Sequence, residues 1–257
     1  MKHLLIPILL TGITLCRVAS AADYEATLAL ERKVTLGFQV SGNVNHVAVT
    51  VGQSVNKGEL LASLDDRPYR ATLTESRSQV TLADTGKTEA ERDYRMATEL
   101  YDRTVLSSVE LENAKLKAER SGARLASAKA GKSRAEYELE QTRLVAPFDG
   151  WVLDVAVQVG QTLISTMNAQ PAVTLAERGW YTAIAQLPGN ALDALTIGQS
   201  ARVVVAGNTF EGTIKTIGLE PVNGEAGTLA LYRVGVEFQS PQARFRAGQG
   251  ASITLLP

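Results

Sequence analysis

The chain is poor in the residues that carry out chemistry. Its 257 residues include one cysteine, two histidines and three methionines, and aromatic residues make up only 5%. So few aromatics argue against an enclosed site for a flat ligand. A net charge of −1 leaves no basic footprint for wrapping nucleic acid or gripping an anionic membrane. No apolar run reaches the roughly 20 residues that a membrane-spanning helix needs. The apolar stretch LLIPILLTGITL near the N-terminus falls short and is interrupted by Pro7.

That stretch follows Lys2 and precedes Ala19-Ser20-Ala21, the charged, apolar and small-residue order of a cleavable export signal. Residues 1–21 are therefore expected to be a signal peptide, cleaved after Ala21. Cys16 is not expected to carry a lipid anchor, because Leu15 is too large for the position before a lipidated cysteine and Arg17 follows. Cleavage leaves no cysteine, so neither a disulfide nor thiol chemistry is expected. His46, Met96 and Met167 are then the remaining histidine and methionines. One histidine builds no catalytic triad or metal cluster. Asp65 and Asp66 could suggest paired carboxylates, but adjacent strand residues face opposite ways, and they are expected to cap a turn into a helix. The expectation is a protein that is not an enzyme and has no cofactor and no metal.

Against that scarcity stands a repeat. SGNVNHVAVTVGQ, from Ser41, returns 108 residues later as DGWVLDVAVQVGQ, from Asp149. Setting Gly42 over Gly150 makes eight of twelve positions identical without a gap. Each copy alternates valine with other residues, the period of a half-buried strand. Gly52 and Gly160 end the two runs, where a turn with positive φ belongs.

Between the copies the period changes. From Leu73 to Tyr101, and again from Leu111 to Thr142, apolar and small residues step alternately by three and four, the seam of a coiled coil. Ser107 or Ser108 is the expected N-cap of the second helix, with Glu110 placed to close a capping box on Ser107. Two helices across so short a break are antiparallel neighbours, and about 32 residues per arm make a rod of about 50 Å. Lys87 and Lys132 on the seam are expected to turn their ammonium groups outward. After the second copy, GWYTAIAQLP, QSARVVVA, TFEGTIKTIG, ALYRVGVEFQ and GASITLLP read as short strands of a small antiparallel barrel. GNALDALTIG supplies one helical turn, and EATLALERKVTL near residue 25 supplies a further strand.

Two half-motifs flanking a helical hairpin and followed by a barrel resemble the periplasmic adaptor, or membrane fusion, family of HlyD-like proteins. VSGNVNHVAVTVGQSVNKGELLASLDDRPYRATL resembles the family's first half-motif and LVAPFDGWVLDVAVQVGQTL its second. The residues that carry the likeness are Gly42, Gly52, Gly58, Asp65, Ala146, Pro147, Phe148, Asp149, Gly150 and Gly160. The resemblance implies an α+β, mostly β fold: a split biotinyl/lipoyl-like β-domain, interrupted by a long antiparallel coiled-coil hairpin and followed by a small antiparallel β-barrel. The expected divisions are residues 22–37 as a strand joining the barrel, 38–69 and 144–177 as the lipoyl-like halves, 70–143 as the hairpin and 178–257 as the barrel. A swinging-arm carrier is not expected, since LDDRPYR offers no lysine where a lipoyl domain attaches its cofactor.

The resemblance also implies a function. Such adaptors link an inner-membrane transporter to an outer-membrane TolC-like channel, here in a resistance-nodulation-division (RND) efflux system. An ABC-type exporter or type I protein secretion system is the alternative. The chain would reside in the periplasm, held at the inner membrane by its partners, and assemble as a trimer or hexamer. A further membrane-proximal domain, found in many pump adaptors, is expected to be absent. At the hairpin tip, RND adaptors carry an arginine, a leucine four residues on and a serine seven beyond. Leu100 and Ser107 match, whereas Met96 takes the arginine's place beside Arg95. The channel-contact set is accordingly Arg95, Met96, Leu100, Arg103, Leu106, Ser107 and Ser108.

Overall fold

The computed structural model describes residues 23–164, 170–222, 230–241 and 244–256; the expected export signal lies outside them. The chain divides into two units, one running Arg32–Arg178 and the other made of the segments on either side of it. The observed architecture is the α+β, mostly β one expected: two small sheets, a long helical hairpin and a closed barrel.

In the first unit, the strands β2 (Lys33–Leu36), β9 (Val173–Glu177), β7 (Gly150–Val155) and β4 (Ser54–Val55) form one sheet. The other contains β6 (Arg143–Val145), β5 (Leu60–Leu64), β3 (Gly42–Val47) and β8 (Thr162–Leu163), in that order. The repeat thus exchanges strands: β4 of the first half pairs with β7 of the second, and β8 of the second with β3 of the first. Val44, Val55, Leu61, Leu64, Val152 and Leu175 are fully buried in the core.

The two repeated glycine-glutamine pairs close this exchange. Gln53 N–H donates to the Thr50 carbonyl at 3.1 Å, while the Gln53 side-chain oxygen accepts from Thr50 N–H at 3.0 Å. Gly52, at φ 85°, supplies the left-handed position of a type II turn. The turn then joins the other half: Gly52 N–H donates to the Val152 carbonyl at 2.8 Å, and Val152 N–H to the Gln53 carbonyl at 2.9 Å. All four bonds recur 108 residues on, in the turn Gln158–Gln161, which grips Val44. The phrase is written twice because each copy ends in a clasp that closes on the other.

Among the described residues the same turn appears three more times. Glu59 closes Asn56–Glu59 onto Ala146, Gln199 closes Thr196–Gln199 onto Ile214, and Gln249 closes Arg246–Gln249 onto Leu28. At the start of the second half, the Asp149 carboxylate accepts from Lys57 N–H at 2.8 Å and lies 3.4 Å from the Arg178 guanidinium. Ala146, Asp149 and Gly150 thereby join the return of the chain to the first half. Gly150 has no room for a side chain, since a Cβ there would lie 2.5 Å from the Ala176 carbonyl oxygen.

Between the halves run α1 (Arg67–Asp102) and α2 (Ser108–Glu140), each about 50 Å long at 1.5 Å per residue. Ion pairs between Asp93 and Lys117 at 2.7 Å and between Arg77 and Glu136 at 3.9 Å fix the antiparallel order. The expected seam faces inward. Leu73, Ala90, Ala97, Leu125 and Ala135 are buried, and of the other seam positions only Tyr101 is exposed. Lys87 and Lys132 turn to Glu91 and Glu136, one helical turn on.

Two expectations need correction. Residues 22–37 are not one strand of the barrel. β1 (Asp23–Ala29) joins it, but the polar Glu31-Arg32 step interrupts the run and β2 pairs with β9. There it takes the place that β6 takes beside β5, with Val34 and Leu36 packed on the core. Of the two expected capping carboxylates, Asp65 does accept from Arg67 N–H, at 3.2 Å, at the start of α1, whereas Asp66 occupies the N-cap without a side-chain capping bond and instead holds Arg70 at 2.7 Å. Asp65 holds Arg67 at 2.6 Å, and those hydrogen bonds lower its pKa to about 2.

The second unit is a closed antiparallel barrel in the order β1, β10 (Trp180–Pro188), β13 (Leu231–Gln239), β12 (Asn208–Pro221), β11 (Ser200–Val205), β14 (Gly250–Leu255). The one-turn α3 (Gly189–Leu192) follows β10. Leu28, Leu187, Val203, Ile214 and Ile253 fill the barrel. Tyr181, Phe210, Phe238 and Phe245 form an aromatic cluster with ring centroids 5.2–6.4 Å apart.

Candidate docking site at the hairpin tip

The tip is a five-residue connection with both helix ends closed by local bonds. At the end of α1, Thr104 N–H donates to the Tyr101 carbonyl at 2.8 Å and Val105 N–H to the Leu100 carbonyl at 2.9 Å. This is the paired bonding of a Schellman cap. Its left-handed position, usually glycine, holds Thr104 at φ 56°, which is costly for a β-branched residue. At the start of α2, Ser107 is the N-cap and the capping box is complete. Glu110 N–H donates to the Ser107 hydroxyl at 3.3 Å, while Ser107 N–H and hydroxyl both donate to the Glu110 carboxylate, at 3.0 and 2.7 Å. These two bonds hold the Glu110 carboxyl below its ordinary pKa.

With its backbone closed in this way, the tip presents apolar side chains to solvent. Val105 is 70% exposed, Val109 67%, Met96 56%, Tyr101 41% and Leu100 38%. Met96, Leu100 and Arg103, spaced by four and three, share one face of α1. Arg95 lies five residues before Leu100, about 140° around the helix at 3.6 residues per turn. It is exposed but cannot substitute for Met96 on that face. Leu106 is half-buried, and Ser107 and Ser108 are exposed. Ser107 spends its hydroxyl within the cap.

Sequence reasoning missed Tyr101, Val105 and Val109 as surface. Val105 and Val109 are apolar residues off the three-four seam, and that mismatch was the available signal. Among the described residues no group of three or more histidines, cysteines or carboxylates could hold a metal, and no helix is long and apolar enough to cross a membrane. What this arrangement offers is a small apolar surface with a cationic edge at the end of a long rod. Such a patch suits contact with another protein better than chemistry.

Three comparisons bear on identity. The Macrolide export protein MacA of Escherichia coli O157:H7 is 28% identical over 239 residues, covering 86% of this chain. That of Yersinia pestis is 26% identical over 241 residues, covering 87%. The chain spans 64% of the length of each. Among solved structures, the membrane fusion protein Spr0693 from Streptococcus pneumoniae R6 superposes with a TM-score of 0.69 at 16% identity, over 92% of this chain and 99% of that one. A MacA-MexA chimera carrying the Pseudomonas aeruginosa MexA α-hairpin domain gives 0.66 at 19%, over 91% and 80%. These two likenesses establish the fold alone. A family model described as "RND MFP, barrel-sandwich hybrid domain" matches residues 32–176, which span both half-motifs and the hairpin between them. The chain belongs to the membrane fusion protein family of periplasmic adaptors.

Proposed function

We propose that this chain is the periplasmic adaptor subunit of a tripartite efflux system, linking an inner-membrane RND-type transporter to an outer-membrane TolC-like channel. The observation that carries the reading is the apolar tip, displayed at the end of a rod about 50 Å long whose two strands of chain are rooted in one clasped β-domain. Met96, Leu100, Arg103, Val105 and Val109 contact the channel. Leu106 shapes the turn, and Ser107 and Ser108 start α2, so the serines act through geometry. Arg95 lies off the contact face. The β-domain and barrel pack with copies of themselves, as a trimer or hexamer, around the path of the transported compound. The protein acts in the periplasm and without catalysis.

A second reading concerns the transporter. The curated relatives named above are macrolide export proteins that cover 86–87% of the chain, and an adaptor for an ABC-type exporter accommodates that likeness at least as well as an RND adaptor does. Both readings assign the tip the same task.

Deletion and complementation test the proposal, with macrolides among the compounds tried. A strain lacking the gene should accumulate at least one toxic compound. The wild-type gene should restore export, and a Leu100→Asp/Val105→Asp gene should not, although its product is exported and folded. Full complementation by that variant would refute the tip assignment. Recovery of an ATPase-bearing transporter with the tagged adaptor would select the ABC reading.

A further inference from the structure

Both ends of the hairpin are tied to one short stretch of chain. In the first turn of α1, the Tyr69 hydroxyl donates to the Ser41 carbonyl at 2.6 Å. In the last turns of α2, the Tyr137 hydroxyl donates to the Gln39 side-chain oxygen at 2.6 Å. Gln39 and Ser41 belong to the connection between β2 and β3. Phe38, beside them, is 2% exposed in the β-domain core and anchors that connection. The helical seam accounts for neither tyrosine, and Tyr137 lies outside both half-motifs.

The arrangement matters because of leverage. The hairpin leaves the β-domain through Asp65-Asp66 and returns through Gln141-Thr142. Backbone bonds from Asp65 N–H to the Asn43 carbonyl at 2.8 Å and from Leu64 N–H to the Thr142 carbonyl at 2.9 Å fix those crossings. Two crossings still leave an axis about which a rod can rock. Over about 50 Å of helix, a tilt of about 10° at the root displaces the tip by about 9 Å. Attachment of both helices to a third, separately anchored segment removes that freedom.

We propose that Tyr69 and Tyr137 are positioning residues that set the tilt of the hairpin by clamping the Gln39–Ser41 strap, so that the aim of the tip is decided at its root. Tyr69 is suited to the task in another respect. Partial burial, with Glu138 nearby, raises its pKa, so it keeps its donor proton at any physiological pH. What the aim is for rests on the proposed function; the clamp itself does not.

The test is a spin-label distance between Glu112→Cys on α2 and Asp154→Cys on β7, both exposed positions within one unit, in a chain with Cys16 replaced by serine. Tyr69→Phe/Tyr137→Phe keeps both rings and removes both hydroxyls. Its distance distribution should be roughly twofold broader than the parent's while the melting temperature stays close, as expected when two hydrogen bonds at the base of a lever are lost. An unchanged width at an unchanged melting temperature overturns the proposal. If the double variant is too unstable to measure, Gln39→Met decides, since it removes one acceptor and leaves both tyrosines. A broader distribution then supports the clamp, and an unaltered one overturns it. No transporter or channel enters the measurement, so the outcome is independent of whether the chain serves efflux.

Discussion

The β-domain and the hairpin it carries are built from the same chain by opposite means. In the β-domain each half-motif closes on the other, through a turn in which a glycine, a glutamine side chain and a facing strand residue are all engaged. In the hairpin, the buried side chains are Leu73, Ala90, Ala97, Leu125 and Ala135, three of them alanines, and most of the surface is polar. The β-domain is specified position by position, whereas the hairpin is specified mainly by period. The difference shows where change is tolerated. Substitutions at the tip are therefore expected to leave the base intact, whereas substitutions at a clasp are expected to loosen it.

That comparison can be broken or sharpened by substitution, and the largest effect belongs to the base. Gly150→Ala drives a Cβ against the Ala176 carbonyl oxygen, 2.5 Å away, and should cost about 3 kcal/mol in denaturant unfolding, as overpacking against rigid backbone does. Gln53→Ala and Gln161→Ala each remove a side-chain acceptor from a turn N–H, for about 1 kcal/mol apiece. Because the turns they close interlock the two halves, the loss in the double variant should depart from the sum of the single losses; a loss equal to the sum would mean that the clasps act separately. Ser107→Ala, which opens the capping box, should cost about 1 kcal/mol.

Thr104→Gly should act in the other direction. Glycine relieves the left-handed strain at φ 56° and should stabilise the protein by up to about 1 kcal/mol, read as a higher melting temperature. Smaller again is the effect of pH at the hairpin root. Hydrogen bonding to Arg67 lowers the Asp65 pKa to about 2 from its ordinary 3.8, so its contribution is present above the ordinary value and lost as pH falls toward 2. Asp65→Asn should therefore lower the melting temperature slightly at pH 7 and progressively less as pH falls through 2. A penalty undiminished at pH 2 would assign Asp65 a role other than its ion pair.

How far the sequence foretold this differs between the two regions for physical reasons. The repeat and the three-four seam were legible because strand and helix periods are local and survive in composition. The five barrel strands after the second copy were legible for the same reason. The exchange of β4 and β8 between halves was not, since pairing partners that lie about a hundred residues apart leave no local trace. The same holds for β2, which reads as a continuation of β1 until β9 is found beside it. The role of the repeated glutamine was not legible: it also recurs at Gln199 and Gln249, and as Glu59, where no valine-rich context draws attention to it. At the tip, Thr104 concealed a turn position that glycine would have announced. Val105 and Val109, apolar but off the seam, were the unread sign of an exposed patch.

The account turns on the tip meeting another protein while the base does not need it to. The most direct measurement is photo-crosslinking in cells, with a photoreactive amino acid placed at Leu100 or Val105 and, as a control, at Asp154 in β7. The account predicts crosslinks from the tip positions to an outer-membrane protein, with none to that protein from Asp154. Tip positions that capture no outer-membrane protein, in a strain where the adaptor still restores export, would contradict it.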